Sequence, residues 1–178
     1  MNICVFGAAS NSISPTYIAA GEALGRILSA RGHAVVFGGG ANGMMGAVAR
    51  GAHEGGGEII GVAPTFFPDG AFSPFCTVFH HTETMHERKL KMETISDAFI
   101  VTPGGIGTYE EFMEVFTLRH LFRHEKPIAL LNTNGFFDPL QALLSHTANE
   151  GFLPKSDLDL LFISPDIEAV LAYIEAVK

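Results

Sequence analysis

Cysteine is scarce in this chain: two occur in 178 residues, Cys4 and Cys76, far apart and each inside an apolar run. Such a pair supports neither a disulfide framework nor a metal knuckle, and it reads as two buried free thiols in a reducing compartment. Cations are also short. Eleven Lys and Arg stand against 19 Asp and Glu, a net charge of −8, which argues against a duplex nucleic-acid partner, since that needs clustered positive charge. A small phosphorylated ligand stays compatible, because one local site is free to be positive on an acidic protein. No basic leader and no long apolar segment is seen, so the expectation is a cytoplasmic protein with no membrane partner.

Missing motifs narrow the chemistry further. G-x-x-x-x-G-K-[ST] is absent, which removes ordinary nucleoside-triphosphate hydrolysis. There is no G-x-S-x-G elbow, and neither cysteine has a signalled base partner, so covalent acyl chemistry has no support. Eight histidines raise the question of a metal. His120 and His124 stand one helical turn apart, but no Glu follows His120 as in H-E-x-x-H, and Arg119 and Arg123 flank them. Cations there suit a helix C-terminus. His80-His81 ends a strand with no carboxylate or cysteine set beside it. The expectation is no metal and no cofactor.

What the chain does have is alternation. Apolar runs at residues 3–6, 34–37, 58–62, 76–79, 98–101, 127–131 and 160–163 read as strands, and helical patterns separate them. Ser14-Pro15, Asp138-Pro139 and Ser164-Pro165 each place a capping residue before a proline, predicting helix starts there, the last helix running to Lys178. With 47% hydrophobic residues the chain closes a core as one domain over residues 1–178. The pattern predicts an α/β fold: a doubly wound, mostly parallel sheet with helices on both faces.

Two glycine stretches stand out. In G-G-G-A-N-G-M-M-G, residues 38–46, Gly38, Gly40 and Gly43 satisfy the G-x-G-x-x-G spacing of a dinucleotide fingerprint. The motif follows the second strand rather than the first, and Glu58, the candidate ribose partner, sits inside a later strand. Nicotinamide or flavin binding is therefore not expected, and the loop is read as packing against a phosphate or a neighbouring backbone.

The second stretch is P-G-G-I-G-T-Y-E-E, residues 103–111. An apolar strand runs into a glycine turn and then into a helical pattern through Phe112, Val115, Phe116 and Phe122. That arrangement offers unpaired N–H groups and the positive end of a helix dipole to an anion. Gly104, Gly105 and Gly107 let the backbone approach a ligand. Thr108 is placed to cap the helix or bind a phosphate oxygen, and Glu110 and Glu111 are expected within the first turn, near an attached sugar. Taken alone, the stretch is equally a glycine turn whose acids complement the dipole.

Upstream, Thr84-x-x-Glu87 fits a capping box, so a helix starts near Met85 with Arg88 just past its first turn. In a parallel sheet both helix starts lie at the carboxyl ends of the strands, so Arg88 and Glu111 face one crevice. Residues 63–74 hold three prolines with Phe66, Phe67 and Phe72. This irregular stretch suits a substrate lid, a partner surface or packing over the core.

M-H-E-R-K at 85–89, combined with P-G-G-I-G-T-Y-E-E, resembles the LONELY GUY (LOG) family of cytokinin-activating phosphoribohydrolases, also described as possible lysine decarboxylases. The likeness covers nearly the whole chain: V-F-G-A-A-S, F-G-G-G-A-N-G-M-M-G-A, I-I-G-V-A-P, D-A-F-I-V-T-P-G-G, and E-K-P-I-A-L-L-N followed by G-F-F-D-P-L. It implies a Rossmann-like fold, a homodimer, no cofactor, and hydrolysis of the N-glycosidic bond of an N6-modified adenosine 5′-monophosphate to free base and ribose 5-phosphate. By resemblance Arg88 and Glu111 are catalytic. Ser10, Met85, Lys89, Gly104, Gly105, Ile106, Gly107, Thr108, Tyr109, Glu110 and Thr117 hold the nucleotide, together with Arg88 and Glu111.

The chain departs from the family in two places. Gly7-Ala8-Ala9-Ser10 stands where G-S-S or G-S-R is frequent, which leaves Ser10 as the phosphate candidate after the first strand. The loop after the third strand offers only Asp69 where a glutamate is usual, and no contact is assigned to it. No lysine stands out as a Schiff-base former, since Lys89 and Lys91 lie among charged neighbours. Two other readings remain: a general nucleosidase acting on plain AMP or other purine nucleotides, and a non-catalytic nucleotide or cofactor carrier.

Overall fold

The apolar runs become the strands of one sheet. In the computed structural model, which describes residues 1–68 and 71–176, these are β1 (Asn2–Phe6), β2 (Ala34–Phe37), β3 (Ile59–Pro64), β4 (Val78–Thr82), β5 (Ala98–Val101), β6 (Ile128–Leu131) and β7 (Leu161–Ser164). Their order is β4-β3-β2-β1-β5-β6-β7, and all the pairings are parallel. The helices are α1 (Pro15–Ala30), α2 (Gly43–Glu54), α3 (Met85–Ile95), α4 (Ile106–His120), α5 (Asp138–Asn149) and α6 (Ile167–Ala176).

Strand alternation splits the core into two layers. Ile3, Val5, Val35, Phe37 and Ile100 point to one face, where Leu24 and Leu28 of α1, Val48 and Ala52 of α2, and Leu171 and Ile174 of α6 cover them. Cys4, Phe6, Val36, Phe99 and Val101 point to the other, against Met92 of α3, Phe112 and Phe116 of α4, and Leu144 of α5. A strand buried on both faces needs apolar residues throughout, which is why these runs read continuously. The chain winds outward from β1 in both directions, so the crevice above β1 and β5 is the switch point at which such sheets bind ligands.

Several expected boundaries move. The strand expected at 76–79 is Val78–Thr82, registered from Ile60↔Val78 to Pro64↔Thr82. Thr77 is tied to Ile59 before the ladder begins, its N–H donating to the Ile59 carbonyl at 2.8 Å and its Oγ1 accepting from the Ile59 N–H at 2.9 Å. As an edge strand β4 carries polar residues, so apolarity is a poor guide to it.

Of the three expected proline-marked starts only Ser14-Pro15 has its serine as cap, accepting from the Thr16 N–H. Asp138 is itself helical and accepts from Asn132 Nδ2 at 2.7 Å. Ser164 ends β7, and Asp166 receives the Glu168 N–H at 2.9 Å at the start of α6. Phe122 lies beyond α4. It takes φ 57° in a left-handed turn closed by Phe122 N–H to the Arg119 carbonyl and Arg123 N–H to the Leu118 carbonyl, and its ring is 93% exposed. That is a Schellman stop with phenylalanine in the position glycine usually fills. The expected end of α6 at Lys178 lies outside the described residues, as does Asp69.

Candidate active site

The start of α3 is built to hold a buried cation. Thr84 caps it, accepting the Glu87 N–H at 3.1 Å, and Glu87 reaches back to the Glu83 N–H at 2.8 Å. This fixes Arg88, which faces inward and is 5% exposed. Its Nε donates to the Val62 carbonyl at 3.2 Å and its Nη1 to Glu111 Oε1 at 2.8 Å. The guanidinium lies over Gly38, where a Cβ would come within 2.0 Å of Nη2. Three elements therefore fix one arginine: β3, the turn after β2, and α4.

Glu111 is 9% exposed. Burial pushes its carboxyl above the ordinary carboxylate value; the charge and hydrogen bond of Arg88 pull it down, but burial is the larger influence. Glu110 and Glu111 were expected in the first turn of α4. The helix begins at Ile106 with Gly105 as its cap, so both lie in the second turn and its first turn holds no acid. The dipole that would favour ionisation there acts mainly on the first turn.

The first turn of α4 is consequently open. Gly105 provides no side-chain cap, and among the described residues nothing accepts from the N–H groups of Ile106, Gly107 or Thr108. Thr108 folds back over the turn, its hydroxyl 2.0 Å from where a Gly104 Cβ would sit. The start of α2 differs. Its Gly43 N–H is taken by Asn11 Oδ1 at 3.1 Å and its Met45 N–H by the Ala8 carbonyl at 3.2 Å. The G-x-G-x-x-G loop thus spends these amides on neighbouring chain, and α4 offers the unfilled anion site.

One cavity of about 440 Å³ joins these parts, within the usual ~300–1,000 Å³ of small-molecule sites. Of the residues expected from the sequence it is lined by Ser10, Met85, Arg88, Gly105, Gly107, Thr108, Glu110 and Glu111. Gly104 supports Thr108 from below the turn, Ile106 is 84% exposed, and Tyr109 packs into the core beneath α4. Lys89 points away, bonded to Glu110 and, at 2.7 Å, to Glu114. Thr117 is exposed on α4 outside the cavity lining.

One wall comes from two stretches that the sequence marked only broadly, the 38–46 glycine loop and the 63–74 stretch read as a lid, a partner surface or core packing, with none of their residues assigned to the site. Gly38, Gly40, Asn42 and Met45 come from the loop and helix after β2, and Phe67 and Phe72 from the stretch after β3. That stretch is stitched to the glycine loop: Ala41 N–H donates to the Ala71 carbonyl at 3.0 Å, Ser73 N–H to the Gly39 carbonyl at 2.7 Å, and Gly40 pairs with Phe72. The available signal was the run of phenylalanines in an otherwise irregular loop. Cys4 and Cys76 are both unpaired; burial drives the Cys4 thiol far up and that of Cys76 up to about 11. His120 meets Asp157, and His124 Nε2 the Val115 carbonyl at 3.0 Å.

A family model described as "Possible lysine decarboxylase" matches residues 45–174. The cytokinin riboside 5′-monophosphate phosphoribohydrolase of Rhodococcoides fascians is 37% identical over 98% of this chain and 89% of its own length. The rice enzyme of the same name, LOG (Oryza sativa subsp. japonica), is 36% identical over 97% of this chain and 72% of its own. The chain belongs to the LOG family. Among solved structures, the molybdenum cofactor binding protein of Rippkaea orientalis superposes with a TM-score of 0.77 at 23% identity, covering 99% of this chain and 96% of that one. The molybdenum cofactor carrier protein of Chlamydomonas reinhardtii gives 0.74 at 20%, with the same coverage. These two share the Rossmann-like fold. As for the family's other description, no lysine among the described residues lines the cavity, so a Schiff base has no amine there.

Proposed function

We propose that this cavity hydrolyses the C1′–N9 bond of an N6-modified adenosine 5′-monophosphate, releasing free base and ribose 5-phosphate. The names of the LOG relatives support the substrate class. The observation that carries the reading is the buried Arg88–Glu111 pair, 2.8 Å apart, beside the unfilled amides of α4.

The phosphate binds the Ile106, Gly107 and Thr108 N–H groups, with the Thr108 and Ser10 hydroxyls beside it. Glu111 lies about one helical turn further, ~5 Å along the axis, which suits the sugar. Breaking the bond builds positive charge on the ribose and negative charge on the departing base. Glu111 takes a proton from the attacking water and faces the sugar cation. Its raised pKa brings its basicity nearer to neutral, where general bases work best. Arg88 keeps that carboxylate in place and offers a cation toward the base. The held phosphate supplies remote binding energy that fixes the ring for attack.

The reading includes one catalytic domain over residues 1–178, a cytoplasmic setting and a homodimer. Two unpaired thiols suit a reducing compartment, and exposed Met85, Leu90 and Ile106 on α3 and α4 suit a subunit contact. The deciding assay incubates the protein with AMP and with N6-isopentenyl-AMP and measures free base and ribose 5-phosphate. Release from the modified nucleotide alone is the expected result. Equal release from both makes the protein a general nucleosidase, and binding without release makes it a carrier.

A further inference from the structure

Asn42 holds the N-cap position of α2 without acting as a cap. An asparagine there normally accepts from the second or third amide of its helix, yet its side chain makes no such bond. The start of α2 is held from elsewhere: the Met45 N–H goes to the Ala8 carbonyl at 3.2 Å and the Gly43 N–H to Asn11 Oδ1 at 3.1 Å. The Asn42 carboxamide is thereby left exposed on the wall of the large cavity, with no hydrogen-bond partner among the described residues. Its neighbours fix its height in that cavity. On one side Gly43 lies against the first loop, where a Cβ would come within 2.5 Å of the Ala8 carbonyl oxygen and 2.7 Å of that of Ser10. On the other, Ala41 N–H donates to the Ala71 carbonyl and Gly40 pairs with Phe72. Asn42 therefore stands between the Ser10 end, beside the anion site, and the apolar phenylalanine end.

Under the nucleotide reading of the cavity, on which this inference rests, Ser10 and Thr108 attend the phosphate. Arg88 and Glu111 hold each other, and Glu110 is bonded to Lys89. Asn42 is the polar side chain left without a task, and the only carboxamide in the lining among the described residues. A carboxamide presents a donor and an acceptor side by side, whereas a carboxylate only accepts and a guanidinium only donates. Adenine shows the matching pair on one edge, N6–H beside N7, the edge that asparagine reads with two hydrogen bonds in nucleic acids. A single N6 substituent leaves that edge intact when it lies on the N1 side, its preferred side in such bases. We propose that Asn42 selects the base: its Nδ2 donates to N7 and its Oδ1 accepts from N6–H. Guanine and hypoxanthine show two acceptors there, O6 and N7, so one of the two bonds is lost and Oδ1 faces O6. The residue thus favours 6-aminopurine nucleotides, with or without one N6 substituent, over 6-oxopurine ones.

The test is calorimetric binding of carbocyclic nucleotides, whose sugar ring lacks O4′ and so resists cleavage. Wild type should bind carbocyclic N6-isopentenyl-AMP about tenfold more tightly than its 7-deaza counterpart, in which C–H replaces N7; that is the worth of roughly one hydrogen bond. Asn42→Ala should bind the two alike. Asn42→Asp, which turns an oxygen toward N7, should prefer the 7-deaza form. Both variants keep the start of α2, since Asn11 and Ala8 hold it. Carbocyclic AMP should likewise outbind carbocyclic IMP in wild type, by a margin that Asn42→Ala narrows. A 7-deaza penalty that persists in Asn42→Ala, or an AMP-over-IMP margin that it leaves unchanged, overturns the contact while leaving the hydrolase reading intact. Wild type that shows these preferences but releases no base from N6-isopentenyl-AMP removes the hydrolase reading and leaves Asn42 as the base reader of a carrier.

Discussion

The Arg88 guanidinium occupies the space that a side chain at residue 38 would need: a Cβ on Gly38 would come within 2.0 Å of Nη2 and 3.2 Å of Cζ. A flexible arginine would normally swing aside, but this one is held by the Val62 carbonyl and Glu111. Gly38→Ala should therefore act on the site before it acts on the fold. The expected outcome is a fall in kcat for base release of about 10²-fold, the scale at which a misplaced catalytic group is felt. The urea midpoint should shift little. A kcat within threefold of wild type would show that Arg88 has room to move without consequence.

Glu111→Gln keeps the shape and removes the base, so turnover should fall by ~10²–10⁴ with the circular dichroism spectrum unchanged. The wild-type rate should rise with pH through a range above the ordinary Glu value of 4.5, because burial raises this carboxyl. Stability runs the other way. The native state holds the Glu111 proton to higher pH than the unfolded chain does, so its contribution is present below 4.5 and is lost as pH rises through the raised value. Urea midpoints measured across pH should show wild type losing stability relative to Glu111→Gln as pH rises through that window. A constant difference would mean that Glu111 titrates alike in both states.

Much of this was readable from residue order, and the failures have physical causes. Strands buried on both faces, such as Ile3–Phe6 within β1, declare themselves by apolarity alone. Edge strand β4 does not, since its position is set by its pairing with Ile60–Pro64. Arg88 and Glu111 were brought together by a topological argument: parallel strands place both helix starts at the same end of the sheet. Their depth was not legible, because it depends on Gly38 and Val62 closing over the guanidinium. Phe67 and Phe72 were seen as a phenylalanine-rich loop, but only the long-range bonds from Ala41 and Ser73 turn that loop over the cavity.

That wall bears on substrate choice. Phe72 is fixed, paired with Gly40 and packed edge-on against Phe79 with ring centroids 4.9 Å apart. Phe67 is half-buried, and its ring leans on Phe66, which is 62% exposed. Phe67 can thus be shortened without disturbing the core. Phe67→Ala should lower kcat/KM for N6-isopentenyl-AMP about tenfold more than for AMP, the worth of roughly one lost apolar contact in a pocket. Phe67→Leu should recover most of the preference. Equal losses on both nucleotides would place the N6 substituent elsewhere.

His124 links acidity to stability well away from the cavity. It follows α4, with Nε2 on the Val115 carbonyl, its ring 5.5 Å from that of Phe99, and a buried Nδ1 that has no partner among the described residues. Burial lowers its pKa from 6.5, outweighing the hydrogen bond to Val115 and the nearby Glu93. Between the lowered value and 6.5 the unfolded chain binds more protons than the native state, so stability rises with pH across that window. The contribution is complete above 6.5 and is lost as the pH falls from there toward the lowered value. Replacing the ring with one that does not titrate removes this dependence. Chemical denaturation of wild type and His124→Phe at a series of pH values should therefore show wild type losing ground to the variant on acidification below 6.5. Parallel curves would mean that a proton reaches the Nδ1 of native His124 as easily as in the unfolded chain.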